Sequence, residues 1–283
     1  MSKHLIETCG AKVLIHNGQV EVLSEPKIRY CPVYHKMLGY EKIDRERVKE
    51  IIEGQIQSHL YTEKRAFSSD FLITFGASEM LSVALESKLI DCCIIVCEGA
   101  GTVIVSDPKL VQGIGARLTG IIKTSPITEI IDKLRDAGAT VISSKARIDQ
   151  VKGVEEAIKL GYNRIGVTIA GFESDKILKL KDIESKEQII LHILSIHNSS
   201  LKDSQVPHLL LADLVWSCSS SVVREKVGPK ALMQIGVSIP VFALTEKGKE
   251  IALNYIMKTN LPSLVMRTEL PKLSLENSPY PLT

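Results

Sequence analysis

Hydrophobic and polar positions at the start of the chain follow the pattern of a β-hairpin and then a helix. Two short apolar runs, Ala11–His16 and Gln19–Leu23, flank Asn17-Gly18, a dipeptide that readily takes the positive φ angles of a type I′ turn. Asp44 is the predicted N-cap of a helix. Its apolar stripe recurs at helical spacing and consists of Val48, Ile51, Ile52, Ile56 and Leu60. Because an isolated hairpin is marginally stable, we expect it to pack on the rest of the fold.

From Phe71 onward, short apolar runs alternate with amphipathic segments. The predicted strands of a first series are Phe71–Thr74, Cys92–Cys97 and Ala139–Ile142, and its predicted helices are Ser78–Glu86 and a segment from Ser125, as N-cap, to Gly138. A second series begins near Ile148, with predicted strands Ile165–Ala170, Ile189–Leu194, Leu214–Ser217 and Ile239–Leu244. Its predicted helices are Val151–Leu160, Ser174–Ile183, a short one around Gln205–Leu211, Ser219–Val227 and Glu246–Met257. Such alternation implies parallel strands with helices on both faces.

The fold class predicted by this pattern is α/β, with two β/α domains, mostly parallel sheets and an N-terminal β-hairpin. We expect residues 1–147 to form the hairpin and a first α/β domain with a Cys/Gly-rich loop, and residues 148–258 to form a second β/α domain. Residues 259–283 contain Pro262, Pro271, Pro279 and Pro281 and have no periodic pattern. They are predicted to form a Pro-rich mobile tail or a strap on the surface.

Composition narrows the class of protein. The chain has 283 residues, 45% of them apolar and 24% charged, with a formal net charge of +2. These values are typical of a globular protein, and so small a charge gives no reason to expect a nucleic-acid or membrane partner. No apolar run approaches the roughly 18 residues of a membrane span, and a signal peptide is not recognisable. We therefore expect a cytoplasmic protein whose six cysteines serve thiol chemistry, metal binding or core packing.

The most informative loop follows the predicted strand that ends at Cys97. Ligands of parallel sheets bind beyond the carboxyl ends of the strands, and this strand delivers Cys97 and Glu98 to that edge. Gly99, Gly101 and Thr102 follow at once, so their backbone N–H groups could cradle an anion. The alternative is a tight turn between two strands in which glycine serves only the geometry.

Two other stretches carry weaker signals. Glu79 lies in the first turn of a predicted helix, where the helix dipole favours a carboxylate whether or not it is catalytic. Gly113, Gly115 and Arg117 could hold an anionic group, with Arg117 as the charge; a loose loop with a solvated arginine is the alternative. The third glycine of a dinucleotide-binding motif is missing here. The sequence also contains no P-loop, zinc-protease helix or nucleophile elbow.

The cysteines fall into two groups. Cys92 and Cys93 lie within an apolar strand, where they are expected to pack as small hydrophobic side chains. Four others, Cys9, Cys31, Cys97 and Cys218, occupy turns or strand ends. Together these four could ligate zinc or an iron–sulfur cluster. Because no Cys-x-x-Cys pair is present, a single functional thiol and inert cysteines remain open alternatives.

Several segments resemble the methanogenesis marker protein 8 family of methanogenic archaea. These segments are Cys9–Val13, Phe75–Glu79, Ile95–Val105, Val111–Arg117 and Ile235–Thr245. The likeness extends over roughly residues 5–257, whereas residues 171–208 and the tail after Lys258 depart from the family pattern. The resemblance implies a companion of methanogenesis and does not imply a particular reaction.

These inferences favour a methanogenesis-associated accessory protein with a cysteine- and glycine-lined cleft. It would bind a small anionic cofactor or a metal centre, with iron–sulfur or zinc as the metal, while enzymes of methanogenesis or their maturation machinery are assembled. Cys97 would be the thiol or ligand, Gly99–Thr102 the anion cradle and Arg117 a charge clamp. One alternative is a thiol-dependent enzyme with Cys97 as nucleophile and Glu79 or Glu98 in proton transfer. Another is a structural subunit without a ligand.

Overall fold

Two β-sheets organise the chain. The structure is a computed structural model that describes residues 2–68, 70, 75–116, 119–260, 262–264, 266–274 and 276–283; the predicted strand Phe71–Thr74 lies outside them. In chain order the strands are β1 (Lys3–Thr8), β2 (Ala11–His16), β3 (Gln19–Val22), β4 (Cys92–Cys97), β5 (Gly101–Val105), β6 (Gly120–Thr124), β7 (Thr140–Val141), β8 (Arg164–Ala170), β9 (Ile190–Ile196), β10 (Leu214–Trp216), β11 (Met233–Ile235) and β12 (Val241–Ala243).

The α-helices lie between and after these strands. They are α1 (Pro32–Leu38), α2 (Arg45–Gln57), α3 (Ala77–Glu86), α4 (Pro108–Gly115), α5 (Thr128–Asp136), α6 (Gln150–Lys159), α7 (Lys176–Glu187), α8 (Val206–Leu209) and α9 (Glu246–Lys258). Short 3-10 helices occupy Gly171–Glu173, Asp203–Gln205 and Gly228–Lys230, and a π-helical turn occupies Val223–Val227. None of the helices among the described residues is both long and apolar enough to span a membrane.

The small sheet has the strand order β3-β2-β1-β6 among the described residues. Neighbouring strands are antiparallel, and β2 pairs with β3 across Asn17-Gly18. Both turn residues have positive φ angles, as a type I′ turn requires. Alternate side chains of β2, such as Val13 and Ile15, are buried together with Ile52 of α2. The apolar face of α2 thus covers one face of this sheet.

The large sheet has eight strands among the described residues, in the order β11-β12-β10-β9-β8-β4-β5-β7. Its centre, β10-β9-β8-β4, is parallel, and the strands on both flanks are antiparallel. The sheet is therefore mixed, whereas the pattern predicts mostly parallel sheets. On the β5 side the reason lies in the turn after Cys97: Gly101 pairs directly opposite Cys97, and so short a connection can join only antiparallel strands.

Helices cover both faces of the large sheet, as the α/β pattern predicts. Apolar side chains of α3, α4, α5 and α9 form one buried cluster with the sheet. Those of α6, α7, α8 and the π-helical turn form another. The sheet takes strands from both sides of residue 147, since β4 pairs in parallel with β8. The two parts of the chain thus share one sheet, and the domain boundary at 147/148 stays a prediction.

The end of the tail lies against the body of the protein. Tyr280 exchanges backbone hydrogen bonds with Tyr30, at 2.8 and 3.0 Å. The backbone N–H of Thr283 donates to Ser219 O at 2.9 Å, and Ser221 N–H donates to Thr283 O at 3.0 Å. Such contacts are typical of a surface strap, one of the two alternatives predicted for the tail, and we refer to residues 278–283 as the strap. The mobility of the tail stays a prediction.

Candidate functional site

A cavity of about 250 Å³ lies beyond the carboxyl ends of β9 and β10. The end of β1, the start of α1 and the start of α3 close it from the other side. We refer to it as the thiol cavity, because Cys9, Cys31 and Cys218 all line it. This is the edge at which parallel sheets bind ligands.

The backbone is constrained where it presents these groups. Cys9 lies in the turn between β1 and β2 with φ 50°, and Cys218 follows β10 with φ 47°. His197 and Phe75, which also line the cavity, have φ values of 52° and 59°. A residue other than glycine pays of order 1–2 kcal/mol for such a conformation. Conformations of this kind concentrate at functional sites, and four of them meet here.

All three thiols are held in the neutral form. Burial raises the pKa of Cys9, of Cys31 and of Cys218, the last to about 11. The backbone N–H groups of Asn198 and His197 oppose this effect at Cys218 without overcoming it. Near neutral pH the cavity therefore presents S–H groups, which become strong ligands only after losing a proton.

The other titratable groups of the thiol cavity are shifted towards neutrality as well. Burial raises the pKa of Glu7, and the hydrogen bond from Gly10 N–H (2.9 Å) and the charge of Lys27 oppose the shift. Burial lowers the pKa of His197 to about 4, so its imidazole is neutral at pH 7. Burial also raises the pKa of Tyr34 well above its ordinary value.

Arg224 holds the segment that carries Cys218. Its side chain is buried in the π-helical turn, and its Nη2 donates to Cys218 O at 3.3 Å and to Ser238 O at 2.6 Å. Among the residues that the structure describes, its Nε finds no hydrogen-bond partner. Single π-helical turns are frequent at functional sites, and here the turn brings a cation directly behind a cavity thiol.

A second cavity, of about 80 Å³, adjoins the thiol cavity at the ends of β4, β8 and β9. We refer to it as the inner cavity. Both cavities are lined by Ala77, Ser78, Gly115, Ile196 and His197. Glu98, Gln150 and Thr168 line only the inner one. The two spaces thus meet around the start of α3 and the end of β9.

Glu98 lies in the inner cavity but is already paired. Its carboxylate forms a buried ion pair with Arg65, whose Nη2 also donates to Gly113 O at 2.8 Å. The Arg65 guanidinium lies over the ring of Phe67, 4.6 Å from the ring centroid. Since removing one partner of such a pair leaves an uncompensated buried charge, this arrangement explains the carboxylate without a catalytic role.

The predicted cysteine site is brought together only in part. Cys9, Cys31 and Cys218 share the thiol cavity, whereas Cys97 lines neither of the two cavities described above. Cys97 is fully buried, and its Sγ donates to Glu98 O at 3.3 Å. Within the described ranges, no three His, Cys, Asp or Glu side chains are grouped so that they could hold a metal ion. The four-cysteine metal site stays a prediction without this support.

The glycine loop after Cys97 makes its hydrogen bonds within the protein. Gly99 N–H donates to Thr124 Oγ1 at 2.8 Å, and Thr102 N–H donates to Arg147 O at 3.0 Å. Thr102 Oγ1 accepts from Asp149 N–H at 2.7 Å. A Cβ on Gly101 would overlap the backbone of residues 146–147. These contacts are those of the tight-turn alternative, and an anion-binding role for Gly99, Gly101 and Thr102 stays a prediction.

The remaining predicted site residues have separate surroundings. Glu79 is buried and caps α3: its Oε2 accepts from Gly76 N–H at 3.2 Å and from the Tyr255 hydroxyl at 3.0 Å. Gly113 lies against the backbone of Phe67. Gly115 packs against Ser78 and lines both cavities. Arg117 lies outside the described residues.

Sequence reasoning missed Glu7, Gln150 and Arg224. Glu7 is one of the polar residues that alternate with apolar ones along β1, as in any half-buried strand. Gln150 begins a helix, and no motif surrounds it. Arg224 belongs to a segment that the pattern predicts as an ordinary helix. No local signal marks these residues, since each acquires its surroundings only when distant segments pack together.

Comparisons with known proteins give the chain relatives. Residues 4–257 match the family described as uncharacterized protein conserved in archaea (DUF2099). The uncharacterized protein MJ0054 of Methanocaldococcus jannaschii is 42% identical over 287 residues, a match that covers 100% of both chains. These findings confirm an archaeal family. The marker protein 8 name and the link to methanogenesis stay predictions.

Proposed function

Since the chain belongs to this DUF2099 family of archaeal proteins, we propose that it is a methanogenesis-associated accessory protein that holds a small cofactor or a metal centre in its thiol cavity. The observation that carries the proposal is the convergence of Cys9, Cys31 and Cys218 on one cavity. Those cysteines come from three different segments, with Cys218 far along the chain from the other two, and Cys9 and Cys218 have costly backbone conformations.

The raised pKa values of the three cavity thiols favour ligand binding over nucleophilic catalysis. A nucleophilic cysteine needs a thiolate near neutral pH, and burial raises the pKa of all three cavity thiols. A thiophilic metal displaces the proton when it binds, so neutral thiols are no obstacle to ligation. No described group of side chains is arranged to hold a single metal ion. The proposed occupant is therefore a cofactor or a metal cluster, large enough to contact each of the three thiols at a different atom.

The charge of the ligand is a separate question. Among the described residues that line the thiol cavity there is no lysine or arginine, while Glu7 contributes a carboxyl group. An anionic ligand would depend on the start of α3, where Ala77 and Ser78 line the cavity and the helix dipole favours negative charge. We therefore propose only that the cofactor contacts the thiols, and we assign no charge to the part of it that lies in the thiol cavity.

The link to methanogenesis is supported by two observations. The segments around Cys9 and Cys97 resemble the marker protein 8 family, and the relative from Methanocaldococcus jannaschii comes from a methanogen. We propose on this basis that the partners are enzymes of methanogenesis or the machinery that matures them.

The proposal is tested by what the protein carries when it is purified without oxygen. Full-length protein is denatured, and the released metals and small molecules are measured by elemental analysis and mass spectrometry. We expect close to one equivalent of a released species from the wild type, and at least a tenfold loss in the Cys9→Ala, Cys31→Ala, Cys218→Ala triple variant.

Matched controls are Cys97→Ala and Cys92→Ala, which remove buried thiols that line neither cavity. Both should keep the wild-type content. Equal content in the triple variant, or a loss caused by Cys97→Ala instead, would overturn the assignment to the thiol cavity.

A further inference from the structure

The inner cavity is lined by Gln150, whose side chain carries a hydrogen-bond acceptor that no described group uses. Gln150 is the first residue of α6, is only 2% exposed and lines this cavity. Its Oε1 is buried and has no hydrogen-bond partner within the described part of the chain. A buried acceptor without a partner costs free energy, and such groups in native proteins call for an explanation.

The other polar groups around this space carry no positive charge: besides carboxylates and a neutral imidazole, they are hydroxyl groups, which both donate and accept. The acidic residues Glu98 and Glu173 line it, and no lysine or arginine is among its described lining residues. His197 is neutral, because burial lowers its pKa to about 4. Arg65 reaches Glu98 from outside the lining, so the cation neutralises that carboxylate without facing the cavity. A negatively charged group would therefore meet carboxylates and no lining lysine or arginine here, whereas a donor group would satisfy Gln150 Oε1.

The position of this space relates it to the thiol cavity. Ser78, Gly115 and His197 line both spaces, so a molecule bound at the thiols has the inner cavity directly beside it. A volume of about 80 Å³ has room for the end group of a small molecule.

We propose that the inner cavity receives a hydrogen-bond-donating end of the ligand, an amine, a primary amide or a hydroxyl group, and that Gln150 Oε1 accepts from it. The inference rests on the proposed function, since it describes the second end of the molecule that the thiols hold. It narrows the ligand class to a small molecule with a thiol-binding part and a donor group a few bonds away. Gln150 is then a specificity residue that selects against ligands ending in a carboxylate or phosphate.

Tethering probes test this without knowledge of the natural ligand. The full chain is equilibrated with symmetrical disulfides whose arms of two to four carbons end in ammonium, primary amide or carboxylate, in the presence of 2-mercaptoethanol. A cavity thiol attacks the probe, forms a mixed disulfide and releases the other half as a thiol, so the exchange is balanced. Intact-mass measurement gives the modified fraction, and peptide mapping gives the cysteine that carries the arm.

We expect that displacing the ammonium or amide arm of the best length takes roughly five to ten times more 2-mercaptoethanol than displacing the carboxylate arm, the ratio that one buried hydrogen bond supplies. Gln150→Leu should bring this ratio close to one. Gln150→Glu, which keeps the shape of the side chain, should enlarge it for the ammonium arm and provides the test if the leucine variant does not fold. Because the Glu7 carboxyl group lines the thiol cavity and would attract an ammonium arm whenever it is ionised, Glu7→Gln serves as the control and should leave the dependence on Gln150 in place.

The outcomes distinguish a failure of the donor-end inference from a failure of the proposed function. If the arms are retained equally, or if both Gln150 variants keep the wild-type ratio, the donor-end inference is wrong, while the thiol cavity remains accessible as proposed. In that case a water molecule is the occupant that satisfies Gln150. If no probe modifies Cys9, Cys31 or Cys218, the proposed function fails together with the inference.

Discussion

Cys9 and Cys218 illustrate how single residues define the site. Each side chain reaches the thiol cavity from a left-handed backbone conformation. That conformation is maintained by contacts beyond the residue, such as the bond from Arg224 to Cys218 O. The turn-like sequences Cys9-Gly10 and Cys31-Pro32 indicate from sequence alone that these thiols could face a cleft. Cys97 gives the stronger local signal, yet packing places it in the core, in one apolar cluster with side chains of β5 and of the helices on that face.

Alkylation rates should show the neutral state of the cavity thiols. At pH 7.5, Cys218 should react with iodoacetamide roughly a hundredfold more slowly than free cysteine, because burial raises its pKa to about 11 and only the thiolate attacks. The rate, followed by mass spectrometry of the Cys218 peptide, should rise about tenfold per pH unit between pH 7 and 10. A plateau reached below pH 8 would show a low-pKa thiol and favour the thiol-dependent enzyme.

Buried histidines should make the protein sensitive to acid. Burial lowers the pKa of both His4 and His197 to about 4, whereas an unfolded histidine titrates near 6.5. Between those values the unfolded chain binds more protons, so the free energy of unfolding should fall as pH decreases from about 6.5 towards 4.

The variant that isolates this effect is His197→Asn, since asparagine tolerates the left-handed backbone at this position. Urea unfolding at several pH values should show a shallower dependence than in the wild type. His16→Asn, at an exposed position, should leave the slope unchanged. An unchanged slope in His197→Asn would mean that this imidazole is not held neutral.

At the scale of elements, the turn between β4 and β5 determines how the sheet continues. Its glycines permit positive φ angles and a close approach to residues 146–147. The sequence predicts the strand, its buried character and the tight turn as one of two alternatives. It does not reveal which alternative holds, because the acceptors of these N–H groups, such as Thr124 and Arg147, lie far along the chain. The N-cap of α5 is Ile127 and not the predicted Ser125, and the same turn holds Ile127 in place, since Ile127 N–H donates to Gly99 O at 2.8 Å.

Two glycine variants distinguish a structural turn from a flexible binding loop. Gly101 and Gly138 both have positive φ, at 74° and 82°, but only a Cβ on Gly101 would overlap backbone, whereas nothing lies within 4 Å of one on Gly138. Gly138→Ala should lower the free energy of unfolding by about 1 kcal/mol through backbone strain alone. Gly101→Ala should lower it by about 3 kcal/mol or more because overpacking adds to the strain. Equal losses in urea unfolding would refute the close packing of this turn.

At the scale of the whole molecule, the site is a product of assembly. The small sheet, α1, α3 and the parallel centre of the large sheet each contribute lining to the thiol cavity. Hydrophobic periodicity predicts the α/β class and most helices well, since each is a local pattern. The mixed order of the large sheet and the meeting of residues 9, 31 and 218 depend on long-range packing, which leaves no trace in local spacing.

The strap should help to close the thiol cavity. Pro279 lines the cavity. Next to it, Tyr280 forms backbone hydrogen bonds with Tyr30, and Thr283 forms them with Ser219 and Ser221. Truncation after Asn277 should therefore lower the melting temperature and speed the reaction of the cavity thiols with a bulky aromatic disulfide by about an order of magnitude, because opening exposes buried groups. Gln234→Ala, which removes the bonds to Lys272 but leaves residues 278–283 in place, is the control and should leave the thiols protected. Unchanged stability and thiol reactivity after truncation would instead fit a tail that serves only to dock a partner.

The proposed function requires a ligand in the thiol cavity, in contact with its cysteines. The most direct measurement is a crystal structure of the full chain purified and crystallised without oxygen, with anomalous data to locate sulfur and any metal. We predict density for a small molecule or cluster within bonding or contact distance of the sulfurs of Cys9, Cys31 and Cys218. A cavity that contains only water, in protein shown to carry a bound species, or density at Cys97 instead, would contradict the account.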